Sequence, residues 1–286
     1  MNFSIYDLWR QSPRDLFARV AKRFSKPTDS YAPENVRYIG CLSTGRVGSK
    51  TLSELGKLAL GQASQHEPKP YLFGISKVGF EKDPYDPAIV AALECCREEL
   101  VQEFLDPNQI FMETSPQVTF LAPAIKQLFP QSKFIHVIRH PVDVIRSGMR
   151  RQWYTGSGHD RWRIVPTDTD TFQRWDDMDA FEKNLWLWAE TNHWITAYMS
   201  ELNEEDGILI KSEQLFANDA ETIQRFFQFI DAPVPAEGKI QRILGQNLNQ
   251  QKTGTFPSID DWTAAQKQLL HRYAGDLMEQ YGYEVS

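Results

Sequence analysis

The sequence predicts an α/β domain with a three-layer α/β/α architecture, in which helices cover a central parallel sheet. Two observations favour this fold class. Short apolar runs of strand length alternate along the chain with longer segments whose apolar residues recur at helical spacing. The first apolar run is followed at once by a glycine-containing loop and a helical segment, all within residues 36–60. At 286 residues, the chain is long enough to bury a sizeable core.

Short apolar runs predict the strands, because β-branched and aromatic side chains suit a sheet that is buried on both faces. Gly61–Pro70 is expected to form only a polar connection, and Asp83–Pro87 holds two prolines typical of a turn. In chain order, the predicted strands are Val36–Leu42, Tyr71–Ile75, Gln109–Met112, Lys133–Ile138 and Gly207–Ile210.

Segments with apolar residues three and four positions apart predict the helices. Ser115 and Pro116 are typical of a helix cap and a first turn, and Pro141 suits another first turn. From Arg151 to Thr171 the sequence shows no periodicity. The predicted helices are Ser49–Leu60, Ala88–Phe104, a segment from Pro116 to about Pro130, Pro141–Arg150, Asp179–Leu202, Asp219–Ile230 and Thr263–Tyr281.

We expect a single α/β domain over residues 36–286, preceded by a different kind of segment over residues 1–35. Met1–Lys26 is basic and amphipathic, and Ser25–Glu34 has the composition of a linker. The amphipathic segment predicts a helix that lies on an anionic membrane surface, or that packs on the domain or on a second subunit. The sequence leaves these alternatives open.

Composition limits the classes of partner. The formal net charge is −7, which gives no support to nucleic-acid binding, so an anionic ligand requires a local basic site. The cysteines Cys41, Cys95 and Cys96 lack metal-ligand spacing, so we expect no metal and a reducing compartment, the cytoplasm. No apolar run has the length of a membrane span, and no signal peptide is visible.

The loop after the first strand is the strongest candidate for a ligand site. A strand, a glycine loop and a helix in succession present free backbone N–H groups and a positive dipole end, which together bind phosphate or sulfate. The lysine follows Ser49 rather than a glycine, so the loop departs from the nucleoside-triphosphate motif. Candidate anion-binding residues are Thr44, Gly45, Arg46, Val47, Gly48, Ser49, Lys50 and Thr51.

A second candidate site lies where the predicted strand Lys133–Ile138 ends. Arg139 lies at the carboxyl end of that strand, where open α/β sheets bind ligands. Ser147 follows eight residues later, about two turns along the next helix. The pair is arranged to hold one phosphate between a guanidinium and a hydroxyl. The alternative is a structural salt bridge for Arg139 and an exposed position for Ser147.

The two segments together resemble the sulfotransferase family. The resemblance rests on TGRVGSKTL (Thr44–Leu52) and IRHPVDVIRSGMR (Ile138–Arg150), with ETSP (Glu113–Pro116) and FPQSKFIHVIRHP as the usual lead-in. It implies a nucleotide-kinase-like (P-loop-like) fold and 3′-phosphoadenosine 5′-phosphosulfate (PAPS) as the sulfuryl donor. The implied contacts are the first loop on the 5′-phosphosulfate, and Arg139 and Ser147 on the 3′-phosphate.

The resemblance also implies further site residues. Lys252 and Gly254 stand where the family often closes a basic loop over the nucleotide, although threonine separates them here. Glu67 and His66 match the position of a catalytic base after the first helix. We favour Glu67 as the base, with His66 orienting the site or binding the acceptor, and Lys50 stabilising the leaving group. A solvated polar loop is the alternative for the His66–Glu67 pair.

The acceptor is not specified by the sequence. Six of the eight tryptophans fall between Trp153 and Trp194, which predicts an aromatic lid over a sugar, lipid or aromatic alcohol before about Phe172 and helix core after it. The leading hypothesis is a PAPS-dependent sulfotransferase acting on a hydroxyl or amine. An ATP-dependent small-molecule kinase and a non-catalytic nucleotide-binding member of the fold are the alternatives.

Overall fold

A computed structural model describes residues 33–158, 160–246 and 254–284. Two predictions fall outside these residues: the amphipathic helix expected over Met1–Lys26 and the phosphate contact expected of Lys252. The described part contains a five-stranded sheet in which all pairings are parallel, in the order β2-β3-β1-β4-β5. The strands are β1 (Arg37–Leu42), β2 (Ser64–Gln65), β3 (Ile110–Glu113), β4 (Lys133–Ile138) and β5 (Gly207–Lys211).

Helices flank this sheet, so the α/β class is confirmed. None of the helices in the described ranges is long and apolar enough to cross a membrane. In chain order the helices are α1 (Ser49–Leu60), α2 (Phe73–Glu81), α3 (Pro87–Phe104), α4 (Ala122–Leu128), α5 (Pro141–Arg150), α6 (Thr169–Arg174), α7 (Ala180–Ser200), α8 (Ser212–Phe216), α9 (Ala220–Phe229), α10 (Glu237–Leu244) and α11 (Ala264–Gln280).

The strand order places a ligand crevice between β1 and β4. The chain leaves β1 towards β2 and β3 on one side, and it leaves β4 towards β5 on the other side. Neighbouring parallel strands whose connections diverge in this way open a crevice at their carboxyl ends. Both predicted binding segments begin there, because one follows Leu42 and the other follows Ile138.

The predicted strand Tyr71–Ile75 is wrong. Helix α2 begins at Phe73, and the edge strand is instead Ser64–Gln65, within the segment predicted as a polar connection. A short apolar run does not distinguish a strand from the start of a helix, and a two-residue polar strand has no periodicity to detect. β2 is a strand because its residues pair with Met112 and Glu113 of β3.

One predicted helix is divided, and four short helices were not predicted. The segment after Ser115 begins as a 3₁₀ helix, Pro116–Leu121, and continues as α4, with Ser115 capping the first turn as expected. The helices that the sequence did not predict are α2, α6, α8 and α10. Helices this short offer too few turns for a reliable apolar pattern.

Buried His136 on β4 makes stability depend on pH. Its Nε2 donates to Asn192 Oδ1 at 3.0 Å, and burial lowers the pKa of His136 to about 4. Between pH 6.5 and pH 4 the unfolded chain binds more protons than the native chain, so stability falls as the pH falls through this window. We expect wild type to lose about 2 kcal/mol more unfolding free energy than His136→Gln between pH 7 and pH 5. Urea denaturation at both pH values measures this difference, and equal losses would contradict it.

Candidate active site

The loop between β1 and α1 adopts a backbone suited to anion binding. Gly45, Arg46 and Gly48 have φ values of 79°, 63° and 85°, so the chain turns sharply before α1 begins at Ser49. Gly48 occupies the N-cap position and has no side chain with which to cap the first turn. The N–H groups at the start of a twelve-residue helix therefore point into the crevice at its positive end.

The structure brings the two predicted binding segments together. Arg46 Nε donates to Ser147 Oγ at 2.8 Å, and Arg139 Nη1 donates to the carbonyl oxygen of Arg46 at 3.2 Å. Arg139 Nη2 also donates to Asp143 Oδ2 at 3.0 Å. The indole N–H of Trp188 donates to the carbonyl oxygen of Arg139 at 3.0 Å, which fixes the backbone at the end of β4. Loop, strand end and α5 thus form one basic site.

This site concentrates positive charge. Burial first, and then the charges of Arg151, Arg139 and Arg150, lower the pKa of Arg46 to about 10, while Glu67 acts in the opposite direction. Exclusion of water and nearby cations both disfavour the charged form of a guanidinium. A bound polyanion would relieve this mutual repulsion, in a protein whose overall charge is negative.

The side chains of the other candidate residues in the loop differ in how far they are buried. Val47 is 1% exposed, so its side chain belongs to the core, and its carbonyl oxygen accepts a hydrogen bond from Ser212 Oγ. Ser49 and Thr51 are buried in the first turn of α1, and Lys50 is half-buried between them. Thr44 is half-buried at the opposite end of the loop.

Gly254 lies against the helix that carries Ser147. Its φ is 77°, and its carbonyl oxygen accepts a hydrogen bond from Arg150 Nε at 3.1 Å. A Cβ at position 254 would lie only 2.8 Å from the carbonyl oxygen of Arg150, so this close approach requires glycine. Gly254 therefore lies beside the site, whereas Lys252, which was predicted to bind phosphate with it, lies outside the described residues.

His66 and Glu67 follow β2 at the same edge of the sheet. His66 Nδ1 lies 2.7 Å from the carbonyl oxygen of Thr114, so Nδ1 donates and Nε2 keeps its lone pair. Burial is the largest cause lowering the pKa of His66. Glu67 is exposed and has a φ of 45°, a strained conformation for a residue other than glycine.

A buried ion pair stabilises the end of β3, next to the residue that orients His66. Arg97 Nε and Nη2 donate to the two carboxylate oxygens of Glu113 at 2.6 and 2.9 Å, and both residues are almost fully buried. The Tyr38 hydroxyl donates to the same carboxylate at 2.6 Å. Because Thr114 follows Glu113 directly, the pair fixes the carbonyl that orients His66.

A cavity of about 450 Å³ adjoins the loop and the His66–Glu67 pair. Thr44, Gly45, Arg46 and Ser49 line one end of it. Its volume falls within the range of about 300–1,000 Å³ found for small-molecule sites. The remaining wall is mixed. Its apolar and aromatic members include Phe73, Phe120, Trp153, Trp162, Ile164 and Leu187, and its polar members include Ser76, Lys77, Arg151 and Arg163.

The tryptophan-rich segment divides as its sequence suggested. Trp153 and Trp162 line the cavity. Trp186 and Trp188 on α7 are buried in the core, and Trp194 is half-buried on the same helix. Trp153 and Trp162 therefore belong to the cavity wall, whereas Tyr154 packs on Trp175 and the tryptophans on α7 mainly stabilise the fold.

Sequence reasoning missed several residues near the site, among them Arg150 and Arg151, whose charges act on Arg46. Gln117 and Thr191 line the cavity, and Phe216 packs on the loop so closely that a Cβ at Gly48 would lie 2.6 Å from its ring. Gln117 and Thr191 both fell within predicted helices and were given no role. Phe216 lies in α8, which directly follows β5 and at five residues is too short to be recognised from the sequence.

Comparisons with known proteins identify the family of the chain and support its fold. A model of the sulfotransferase family matches residues 53–236. No curated protein sequence matches the chain. A solved sulfotransferase domain from the curacin biosynthetic pathway is similar over 88% of this chain and 99% of its own, with 17% identity and a TM-score of 0.53. A sulfotransferase from Mycobacterium avium is similar over 95% of this chain and 83% of its own, with 10% identity and a TM-score of 0.50. At these identities the two structures support the fold.

Proposed function

The chain belongs to the sulfotransferase family, and we propose that it transfers a sulfuryl group from PAPS to the hydroxyl of a small-molecule acceptor. We further propose that residues 36–286 act as one catalytic domain. The single observation that carries the choice of donor is the cluster of Arg46, Arg139, Arg150 and Arg151 around a left-handed glycine loop. PAPS supplies an activated sulfuryl group on one phosphate and carries a second phosphate on the ribose.

The arrangement of cations fits a donor with two separate anionic groups. The loop and the start of α1 offer N–H groups, Arg46 and Lys50 to the phosphosulfate. Arg139 and Ser147, joined to the loop through Arg46, offer a guanidinium and a hydroxyl to the 3′-phosphate. ATP lacks a 3′-phosphate, so this second subsite distinguishes the two nucleotides. It also disfavours the kinase hypothesis.

The reaction requires a proton acceptor and neutralisation of the leaving phosphate. The acceptor oxygen forms a bond to sulfur while the bond between sulfur and the bridging phosphate oxygen breaks, and the hydroxyl proton passes to the base. Lys50, Arg46 and the first N–H groups of α1 stabilise the negative charge on the leaving phosphate. The cavity holds the acceptor against the same end of the loop.

We assign the base to Glu67 and a positioning role to His66. Glu67 lines the cavity and retains a strained backbone, and such strain is concentrated at functional sites. His66 directly precedes Glu67, and the hydrogen bond from His66 Nδ1 to the carbonyl oxygen of Thr114 holds His66 in place. His66 also lines the cavity, and the lone pair that its Nε2 keeps makes His66 the alternative base.

Arg139→Ala tests the assignment of the donor. The variant loses a charge-assisted contact of about 1.5–3 kcal/mol, so we expect adenosine 3′,5′-bisphosphate to bind about ten- to a hundredfold more weakly. Calorimetric titration measures the affinity. Arg174→Ala is the control, because Arg174 is an exposed arginine that contacts Tyr273 and Glu182 instead of the loop. Unchanged affinity in Arg139→Ala would refute the assignment.

A further inference from the structure

The cavity beside the donor loop carries more positive than negative charge. Of the described residues that line it, four are cationic, and Glu67 alone carries a carboxylate. Arg46 and Arg151 belong with the donor cluster, because the charge of Arg151 acts on Arg46. The other two cations, Lys77 and Arg163, have no part in the proposed donor site. The proposed function therefore leaves two positive charges on the cavity wall unexplained.

Lys77 has partners on the protein itself. Its Nζ donates to the carbonyl oxygen of Arg161 at 3.2 Å and lies 3.7 Å from a carboxylate oxygen of Glu81, one turn along α2. Lys77 thus links the segment that contains Arg161 to α2, and it shares its charge with Glu81. Arg163 is the stronger candidate for binding an anionic group of the acceptor.

The guanidinium of Arg163 is held in one orientation on the cavity wall. Its Nε donates to Asp160 Oδ1 at 3.1 Å, and its Cζ lies over the ring of Trp153, 4.1 Å from the ring centroid. Trp153 is almost fully buried and lines the cavity as Arg163 does. A guanidinium that stacks on an indole face keeps the N–H groups at its edge available for hydrogen bonds. Arg163 is therefore preorganised.

The carboxylate of Asp160 has no acceptor site left for the other N–H groups of Arg163. Besides Arg163 Nε, it accepts hydrogen bonds from the backbone N–H of Tyr154 at 3.0 Å and from those of Gly156 and Ser157 at 2.9 Å. Four hydrogen bonds fill the lone-pair sites of a carboxylate. Within the described ranges, Nη1 and Nη2 of Arg163 make no hydrogen bond, so both can donate to a ligand.

Partial burial gives this guanidinium a reason to bind an anion. The side chain of Arg163 is 20% exposed, so most of it is removed from water while its end can still be reached. Burial is the largest cause acting on the pKa of Arg163 and lowers it, although Tyr154 and Asp160 act in the opposite direction. Asp160 therefore does not fully offset the lost hydration, and an anionic ligand would offset more of it.

A carboxylate is the anion that best fits the two Nη groups. Its two oxygens lie in one plane and accept two parallel hydrogen bonds from the end of a guanidinium. A phosphate or sulfate group presents a third oxygen, which one arginine cannot satisfy in a half-buried wall. A neutral amide or ester of the same shape would lose the charge-assisted part of the interaction.

We propose that the acceptor is a hydroxylated carboxylic acid whose carboxylate is bound by Nη1 and Nη2 of Arg163. This inference rests on the proposed function, because it places the reacting hydroxyl in the cavity that Glu67 and the donor loop share. It assigns Arg163 as a specificity-determining residue and Asp160 as the residue that positions it. It narrows the sugar, lipid and aromatic-alcohol alternatives to their acidic members.

The test compares hydroxy acids with amides of nearly the same shape. The probes are 4-hydroxyphenylacetate, 3-(4-hydroxyphenyl)propanoate and 6-hydroxyhexanoate, each with its primary amide, titrated calorimetrically into protein saturated with adenosine 3′,5′-bisphosphate. The bisphosphate occupies the donor cations, so a preference for the acid reports on the acceptor cavity. We expect the best acid to bind at least about tenfold more tightly than its amide, as a charge-assisted contact gives.

Variants connect this preference to Arg163. Arg163→Gln should reduce it to about twofold or less and leave the affinity for the amide unchanged, whereas a purely structural role would change acid and amide binding alike. Arg161→Gln is the matched control, because it removes the same charge from an exposed arginine that lies over Trp162 instead of Trp153. Arg163→Lys restores the charge without the planar fork and should regain part of the preference.

The outcomes separate this inference from the donor assignment. Equal binding of acid and amide by wild type, no binding of any probe, or an acid preference that survives Arg163→Gln would overturn the inference. An equal loss of preference in Arg161→Gln would also overturn it. Failure of the bisphosphate to bind would instead refute the donor, and the acid preference and its dependence on Arg163 would then be measured on the unloaded protein.

Discussion

Glu67→Gln is expected to lower kcat for sulfuryl transfer by about 10²–10⁴-fold, the usual contribution of a general base. The amide keeps the size of the side chain but cannot take the acceptor proton. Affinity for adenosine 3′,5′-bisphosphate should stay within about threefold of wild type, because Glu67 adds no cation to the donor site. Steady-state rates with PAPS and the best acceptor found in a panel of small-molecule alcohols, together with calorimetry, measure the two effects separately.

His66→Gln is the matched control for this prediction. If His66 only positions the loop through Thr114, its replacement should lower kcat by about tenfold or less, since about one hydrogen bond is lost. The opposite pattern, with a large loss in His66→Gln and near-normal turnover in Glu67→Gln, would make His66 the base. Its Nε2 lone pair and its lowered pKa leave that outcome chemically sound.

Lys50→Met is expected to lower kcat by about 10²–10³-fold, in the range found when one donor to a developing oxyanion is removed. Lys50 is the second residue of α1, immediately beside the first N–H groups of that helix, to which we assign the leaving phosphate. Methionine keeps the length and apolar stem of the side chain and removes its charge. Single-turnover kinetics at saturating PAPS measure the chemical step without the contribution of donor binding.

Lys57→Met provides the control on the same helix. Lys57 lies in the last turn of α1, where it pairs with Glu54 at 2.7 Å, so its loss should leave kcat within about twofold of wild type. Equal effects of the two replacements would show that Lys50 acts through general charge or helix stability. Retention of full activity by Lys50→Met would remove Lys50 from the catalytic group.

The parts of the fold with regular patterns were predictable from the sequence. Lys133–Ile138 and Ser49–Leu60 were predicted with the bounds that the structure shows, because each combines a clear period with a sharp stop signal. The edge strand Ser64–Gln65 was missed, since only its pairing with β3 makes it a strand. Tyr71 and Phe73 misled the prediction because exposed aromatic residues resemble strand residues in composition.

The donor side of the candidate site was more predictable than the acceptor side. The loop, Arg139 and Ser147 lie in short motifs whose spacing has a geometric meaning, and the structure joins them through Arg46. Gln117 and Thr191 lie 74 positions apart in the sequence, in segments that look like ordinary helix core. Only the packing of α7 against the rest of the cavity wall brings them to one place.

The measurement that tests the central claim most directly is calorimetric titration of wild type with adenosine 3′,5′-bisphosphate, compared with AMP and with ATP plus magnesium. We predict that the bisphosphate binds at least about tenfold more tightly than AMP, because one more phosphate contacts Arg139 and Ser147. Equal affinity for the bisphosphate and AMP would contradict the assignment of the second subsite. Preferential binding of ATP with magnesium would contradict PAPS as the donor.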